Sequence, residues 1–398
     1  MIIYKNKKIK ICRTATVAYY VANHIKSLAE HLKNKGMEIV LISSYGPEII
    51  QIDLGAGLTY EEIQISRQID PLKDIISLIK LIKAFKKHQF DIVHSTTPKA
   101  GLLSSIAASW VGVPVRLHTW TGQPWVTLTG PKKWVTMLAD KLIGLLCSRC
   151  YADSPSQREF LIKEKIINPD KIKVIHKGSL SGVDIERFRP QLLNEAQKDV
   201  RRKETGLSST SKVITFIGRI NKDKGVIELI SAFKITLEKG YDIDLLLIGP
   251  MDQDSDGHEI VNLNEYIKDC SRIHYLGYQK HPEEYLAISD IFCLPSYREG
   301  FGTTVIEAAA MGIPAIGTKI NGLIDAIADG ETGILVELKS IDGLVSAFKY
   351  LLDNPQTLKK MGKLARQRCI QDFDKNKIND LMWKEYLNIL NANQGKIF

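Results

Sequence analysis

Short apolar runs alternate along this chain with helical stretches of roughly 10–15 residues, and the alternation occurs twice. In the first half, Ile9–Cys12, Ile39–Ser43, Asp91–His94, Val115–His118, Tyr151–Ala152 and Ile172–Ile175 read as strands. Between them lie helical stretches at Ile25–Leu32, Pro71–Phe85, Gly101–Val111 and Lys133–Leu146. A polar stretch from Gln191 to Ser211 reads as a linker with a helix in it. The pattern then restarts with Lys212–Gly218, whose VITFIG run is of the fully buried type. Strands at Leu245–Gly249, Ile273–Leu276, Ile291–Pro295, Pro314–Gly317 and Gly333–Val336 follow, with helices between. Strands that are apolar throughout and separated by helices imply parallel βαβ units, buried on both faces. The expectation is an α/β chain of two Rossmann-like, doubly wound domains facing a cleft, 1–190 and 191–374. Ligands of such sheets bind outside the carboxyl ends of the strands.

At 398 residues, with an apolar fraction of 44% and a charged fraction of 25%, the chain is long enough for two cores. That composition excludes a mainly disordered chain, a fibrous repeat and a small disulfide scaffold. No apolar run reaches the length of a membrane span, and the amino-terminal residues show no leader-like apolar run with a cleavage site. The expected location is cytoplasmic. The six cysteines include one C-x-x-C, Cys147 and Cys150, with no second ligand pair, so they are expected to be reduced thiols and no metal site is expected. Charge is uneven. Residues 1–185 carry 26 Lys and Arg against 15 Asp and Glu, and the remaining residues 28 against 30. A positive first half points to a negative surface, and by charge alone nucleic acid, an anionic membrane face and a phosphorylated substrate all fit. No basic stripe interleaved with aromatics suggests nucleic acid.

The richest chemistry lies between Gly218 and Glu307. Arg219 follows the VITFIG strand, and Lys224-Gly225 opens the next helix. Both cations would stand at a strand's carboxyl end beside a helix N-terminus, where a diphosphate is well held. The IFCLP strand is followed by Glu299, Gly300, Phe301, Gly302 and Thr303, with Glu307 one helical stretch further on. The glycines permit close backbone approach, and Thr303 or Thr304 is expected to cap the helix. Thr304 to Glu307 also spells a capping box, a purely structural use of that glutamate.

These residues resemble the family 4 retaining glycosyltransferases, whose fold is the two-domain GT-B type. The matching motifs are Gly218-Arg219 with Lys224, Glu299-Gly-Phe-Gly followed by Glu307, and the late Asp329-Gly330 and Thr332-Gly333 pairs. Three first-half segments, His94–Gly101, Arg116–Gly122 and Gly178–Asp184 with Phe188, resemble a subgroup that builds bacterial O-antigen, lipopolysaccharide and capsule. The resemblance implies transfer from a UDP-sugar to a polyprenyl-diphosphate-linked sugar, without metal or other cofactor. It makes Arg219 and Lys224 the diphosphate ligands. It puts Glu299 near the donor sugar and Glu307 on the ribose hydroxyls. Backbone at Gly300, Phe301, Gly302 and Thr303 would line the donor. His118 would stand at a strand end facing the transferred sugar. His94 and Lys99 are candidates for the acceptor. The final helix, within 375–398, is expected to return to the first domain. The chain departs from the family where a Gly-Gly loop often follows the first strand. Here that stretch reads Arg13 to Tyr19, and the late Gly-Gly-x-x-Glu appears as Asn321 to Asp325.

A lipid-linked acceptor requires contact with a bilayer. Pro71–Gln89 carries Leu72, Ile75, Ile76, Ile79, Ile82 and Phe85 at helical spacing with five lysines, and Trp120–Leu146 carries Trp120, Trp125, Trp134, Lys132 and Lys133. Either is a candidate interfacial segment, or an ordinary helix packed on the sheet. Other functions remain open at this stage. A nucleotide-sugar 2-epimerase would share the fold and donor site. A metal-dependent transferase of the other common fold would use Asp252, Asp254 or Asp256. A scaffold would bind donor without transferring sugar.

Overall fold

The structure, a computed structural model, describes residues 3–4, 7–251 and 262–394. The chain divides into two compact units, residues 1–181 with 375–398 and residues 182–374. The dividing point thus falls nine residues before the expected one, because Val183 to Pro190 packs with the second unit. The Val183 N–H donates to the Phe373 carbonyl at 2.7 Å, and Phe188 is buried in the second core.

The first unit holds a seven-stranded parallel sheet. Its strands are β1 (Lys10–Val17), β2 (Glu38–Ser44), β3 (Leu58–Glu62), β4 (Ile92–Thr96), β5 (Val115–Trp120), β6 (Arg149–Ala152) and β7 (Ile172–Lys173). Their spatial order is β3-β2-β1-β4-β5-β6-β7. The direction of winding reverses between β1 and β4, which pair in parallel from Ile11 with Ile92 to Thr14 with Ser95. The helices used below are α1 (Lys26–Asn34), α2 (Pro71–His88), α3 (Pro98–Val111) and α4 (Gly130–Leu146). Helix α2 starts where Asp70 accepts a hydrogen bond from the Lys73 N–H at 3.2 Å, with Pro71 in the first turn. Helix α3 packs between α2 and α4.

The second unit holds a six-stranded parallel sheet. Its strands are β8 (Lys212–Ile217), β9 (Ile243–Ile248), β10 (Ile273–Tyr275), β11 (Ile291–Leu294), β12 (Ala315–Thr318) and β13 (Gly333–Val336), in the order β10-β9-β8-β11-β12-β13. Here the winding reverses between β8 and β11, paired through Ile214 with Ile291 and Thr215 with Phe292. Helices α5 (Val226–Glu238) and α6 (Thr303–Ala310) start at the carboxyl ends of β8 and β11. Helix α7 (Lys375–Gln394) belongs to the first unit, where Met382, Tyr386, Ile389 and Leu390 join the core around β1 and β2.

A reversal of winding leaves a crevice outside the carboxyl ends of the two strands that flank it. In the second unit, one glycine keeps that crevice narrow at its base. Gly225, with φ at +68°, lies so close to the end of β11 that a Cβ would stand 2.1 Å from the Pro295 carbonyl oxygen. A left-handed backbone costs an L-residue about 1–2 kcal/mol, and a backbone clash adds to it. Gly225→Ala should therefore lower unfolding stability by about 2 kcal/mol or more. Denaturant titration checks this, and an unchanged midpoint would contradict it.

Candidate functional site

The crevice of the second unit collects most of the residues singled out from sequence. Gly218 ends the β8 register by donating to the Ile248 carbonyl at 2.9 Å, so Arg219 emerges at the carboxyl edge, half-buried. Asn221 turns the chain by accepting from the Lys224 N–H at 3.1 Å. The Lys224 ammonium then reaches across to β11's loop and forms an ion pair with Glu299 Oε1. The same carboxylate oxygen accepts from Ser296 Oγ at 2.8 Å. Two further ties join the loops: Arg298 Nε donates to Asp223 Oδ2 at 2.8 Å, and the Tyr297 N–H to the Asp223 carbonyl at 2.7 Å. Lys224 and Glu299 thus form one charged unit. Asp223, Ser296 and Arg298 were not anticipated. They carry no motif, and only the pairing of β8 with β11 makes them neighbours.

Helix α6 opens on Gly302 at φ +92°, which serves as the N-cap with no side-chain cap. Thr303 and Thr304 are therefore the first helical residues, and the capping box expected from Thr304 to Glu307 does not form. Phe301 is buried and meets Phe373 edge-on at 5.1 Å, so it offers the crevice its backbone only. Gly322, in the late motif, lies against the loop: a Cβ there would stand 2.8 Å from the Gly300 carbonyl oxygen. With Gly302 as cap, the first amides of α6 lack side-chain acceptors and point toward the loop, the arrangement that favours an anion.

Glu307 lies one turn into α6. Removal from water pushes its carboxyl up to about 7; Arg187 lowers it, and Glu283 raises it. Arg187 Nη2 itself donates to Glu283 Oε2 at 2.7 Å and to the Lys280 carbonyl at 3.1 Å. Both residues were missed, although Arg187 sits beside the quoted Phe188. An unfolded glutamate loses its proton near 4.5, so the folded chain holds one more proton between that value and about 7. Stability contributed by Glu307 therefore falls as pH rises through this window. Glu307→Gln abolishes the dependence. Its melting temperature relative to the natural chain should rise from about pH 5 to about pH 8; an equal difference at both would contradict the assignment.

The first unit's crevice has a different character. Arg13 is buried in β1. Its Nη1 donates to Tyr386 OH at 2.9 Å and contacts His94 Nδ1. Tyr386 OH lies 2.6 Å from His94 Nδ1, and His94 Nε2 lies 2.7 Å from Thr119 Oγ1. Arginine only donates, so Nδ1 is the acceptor and Nε2 carries the proton, donated to Thr119. Burial and the Arg13 charge hold His94 neutral, well below the usual histidine range. This corrects two expectations. β4 runs on to Thr96, so His94 does not end its strand. Both of its ring nitrogens are committed, so it forms pocket wall instead of offering a nitrogen to an acceptor. His118 is corrected likewise, since β5 continues to Trp120. The imidazole is fully buried, with Nδ1 3.0 Å from Ser95 Oγ and its ring against Gly101. Burial lowers it to about 3, and its Nε2 has no hydrogen-bond partner among the described residues. Lys99 is tied to Asp74 of α2 at 2.5 Å and does not line the pocket.

What does line that pocket is Arg13, Thr96, Thr119, Thr121, Asp153 and His24, around a space of about 20 Å³, room for a water. Thr121 directly follows the carboxyl end of β5. Burial raises Asp153 to about 6, although its Oδ1 accepts from the Leu180 N–H at 2.8 Å. Above the pocket, Thr16 at the end of β1 meets Thr97 after β4, Oγ1 to Oγ1 at 2.7 Å. The stretch where the family often has Gly-Gly is thus strand as far as Val17, followed by a helical turn that widens into a π-helix at Val21–Ile25. The acidic segment Asp252 to Asp256 lies outside the described residues.

Comparison with known proteins agrees with this architecture. Residues 21–187 match the model described as Glycosyltransferase Family 4, and residues 197–368 match Glycosyl transferases group 1. The chain is 32% identical over 371 residues to the capsular polysaccharide biosynthesis glycosyltransferase CapM of Staphylococcus aureus, covering 92% of this chain and 94% of that protein. It is 31% identical over 323 residues to the UDP-Gal:alpha-D-GlcNAc-diphosphoundecaprenol alpha-1,3-galactosyltransferase of Escherichia coli, covering 79% and 81%. Among solved structures, Anabaena HepE in complex with UDP-glucose superposes with a TM-score of 0.79 at 17% identity, covering 96% of this chain and all of that one. With both α/β units matched and a relative of this identity along nearly its full length, the chain belongs to the family 4 glycosyltransferases of the GT-B fold.

Proposed function

We propose that this glycosyltransferase moves a hexose or N-acetylhexosamine from a UDP-sugar to a polyprenyl-diphosphate-linked sugar, with retention at the anomeric carbon. It acts in surface polysaccharide synthesis, at the inner face of the cell membrane. The observation that carries this reading is the second unit's crevice, where Arg219, the Lys224–Glu299 pair and the start of α6 lie at one winding reversal, with Glu307 one turn into that helix. The relatives support the substrate classes. The Escherichia coli protein is named for a UDP-galactose donor and a diphosphoundecaprenol acceptor, and HepE was solved with UDP-glucose.

In this reading, Arg219 and the α6 amides hold the diphosphate. Lys224 exchanges Glu299 for a phosphate oxygen as donor enters, and Glu299 turns to the donor sugar's hydroxyls. Ionised Glu307 accepts from the ribose hydroxyls. As the bond from sugar to phosphate breaks, negative charge grows on the leaving diphosphate. Fixed cations and helix amides meet that charge without reorganising. Retention follows front-side attack, with the leaving phosphate oxygen taking the acceptor's proton. Arg219, Lys224 and the α6 amides supply positive charge at the leaving group, the task a metal performs in other transferases. EDTA should therefore leave the rate unchanged.

Arg219→Ala should lower turnover by roughly 10²–10³-fold, and Glu307→Ala should weaken UDP binding, read by calorimetry. Normal activity in the first or normal affinity in the second would remove that residue from the site. The function itself is tested by a donor screen. UDP-glucose, UDP-galactose, UDP-GlcNAc, UDP-GalNAc and GDP-mannose are each incubated with and without polyprenyl-diphosphate-GlcNAc or -GalNAc, and products are resolved by mass. A lipid one sugar heavier from a UDP-sugar is expected. Interconverted nucleotide sugar without acceptor would establish an epimerase instead.

A further inference from the structure

The second unit has a cavity at the end of its sheet away from the crevice. It is lined by Lys212, which starts β8, and by Asp290, which directly precedes β11. It therefore lies outside the amino ends of the two strands whose carboxyl ends flank the crevice. Its volume is about 410 Å³, against about 20 Å³ for the first unit's pocket. That is within the size range of small-molecule sites. Every residue around it belongs to the second unit.

The floor of the cavity is apolar. Leu286, Met311, Ile313 and Leu351 line it and are each at most 5% exposed, and Leu358 joins them. Rigid elements hold these side chains. Leu286 ends the helix Pro282–Leu286, Met311 caps the carboxyl end of α6, and Leu351 lies in the helix Ile341–Asp353. Apolar walls hold water poorly, so a hydrocarbon body gains by replacing it.

The polar groups around this floor are committed, with one exception. Ser289 Oγ donates to the Tyr285 carbonyl at 2.7 Å. Asp290 accepts from the Lys212 ammonium at 2.8 Å through Oδ1 and from the Val213 N–H at 2.9 Å through Oδ2. Lys198 pairs with Glu195 at 2.8 Å. Lys359 is exposed and forms no ion pair among the described residues. Helix dipoles offset one another here. α6 and Ile341–Asp353 end beside the cavity, while the helices Glu195–Glu204 and Pro355–Phe373 begin there. Three lysines against Asp290 and Glu195 leave one positive charge, and Lys359 carries it.

We infer that this cavity binds a small amphipathic monoanion, a hydrocarbon chain of medium length ending in one carboxylate. The chain lies on the floor of Met311 and Leu351, and the carboxylate meets the Lys359 ammonium. The site shares no residue with the crevice, and the inference does not rest on the transferase reading.

Calorimetry on the full chain tests it, with octanoate and decanoate below their micelle-forming concentrations and octanol as the uncharged control. Both carboxylates should bind. Decanoate should bind roughly fifteenfold more tightly than octanoate, since each buried methylene is worth about fourfold. Octanol should bind more weakly than octanoate. Lys359→Ala should remove that difference and leave octanol unchanged. Ala287→Trp, which fills the cavity, should abolish binding of all three. Melting temperature reports whether each variant folds, and Lys359, being exposed, is replaced without disturbing a core. UDP should leave decanoate affinity unchanged. A natural chain that binds neither carboxylate, an octanoate affinity that Lys359→Ala leaves intact, or displacement of decanoate by UDP overturns the site. So does a dimer that Ala287→Trp splits, since a second copy would then be the occupant.

Discussion

The pairing of β8 with β11 is the constraint on which the proposed donor site depends. These strands are far apart in sequence, yet their adjacency brings Arg219 and Lys224 beside Glu299 and α6. Gly225 lets the first loop lie directly on the Pro295 carbonyl, and the Asp223–Arg298 pair fastens the loops from their far side. A partly buried ion pair that loses one partner leaves the remaining charge poorly solvated. In the proposed reading, a diphosphate offers charge to Lys224 and sugar hydroxyls offer donors to Glu299, so that each replaces the other as partner.

The first unit uses the same topology for a different purpose. At its winding reversal the buried groups are Arg13, His94, Thr119 and Tyr386, joined in one network. Tyr386 comes from α7, at the other end of the sequence. The helix thus closes the core around β1 and supplies the hydroxyl that accepts from Arg13 Nη1 and meets His94 Nδ1. Such a network fixes the pocket wall. Beside that wall the pocket presents Thr96, Thr121 and Asp153, short polar side chains around a space that holds a water.

Much of this was legible in sequence because parallel strands buried on both faces are written as continuous apolar runs. β8 and β9 are examples. β3 escaped notice because an edge strand reading LTYEE is too polar to stand out. The loops of the proposed donor site were legible because glycine and charge must occur together where backbone approaches an anion. The errors came from register. β4 and β5 each run two residues past the histidine taken as their end, which moves His94 and His118 from the rim into the sheet. The supposed capping box failed because Gly302 already provides the turn into α6. The apolar spacing of α2 was visible, but not its direction. Leu81, Ala84 and Phe85 are buried while Leu72, Ile75, Ile76 and Ile79 are exposed, and packing against α3 decides which.

The central claim is that one crevice of the second unit holds the nucleotide diphosphate. A crystal structure of the full chain with bound UDP tests it most directly. The account predicts phosphate oxygens within hydrogen-bond distance of Arg219, Lys224 and the first amides of α6, with Glu307 on the ribose and the Lys224–Glu299 pair broken. UDP bound elsewhere, or bound there with that pair intact and Glu307 untouched, would contradict it.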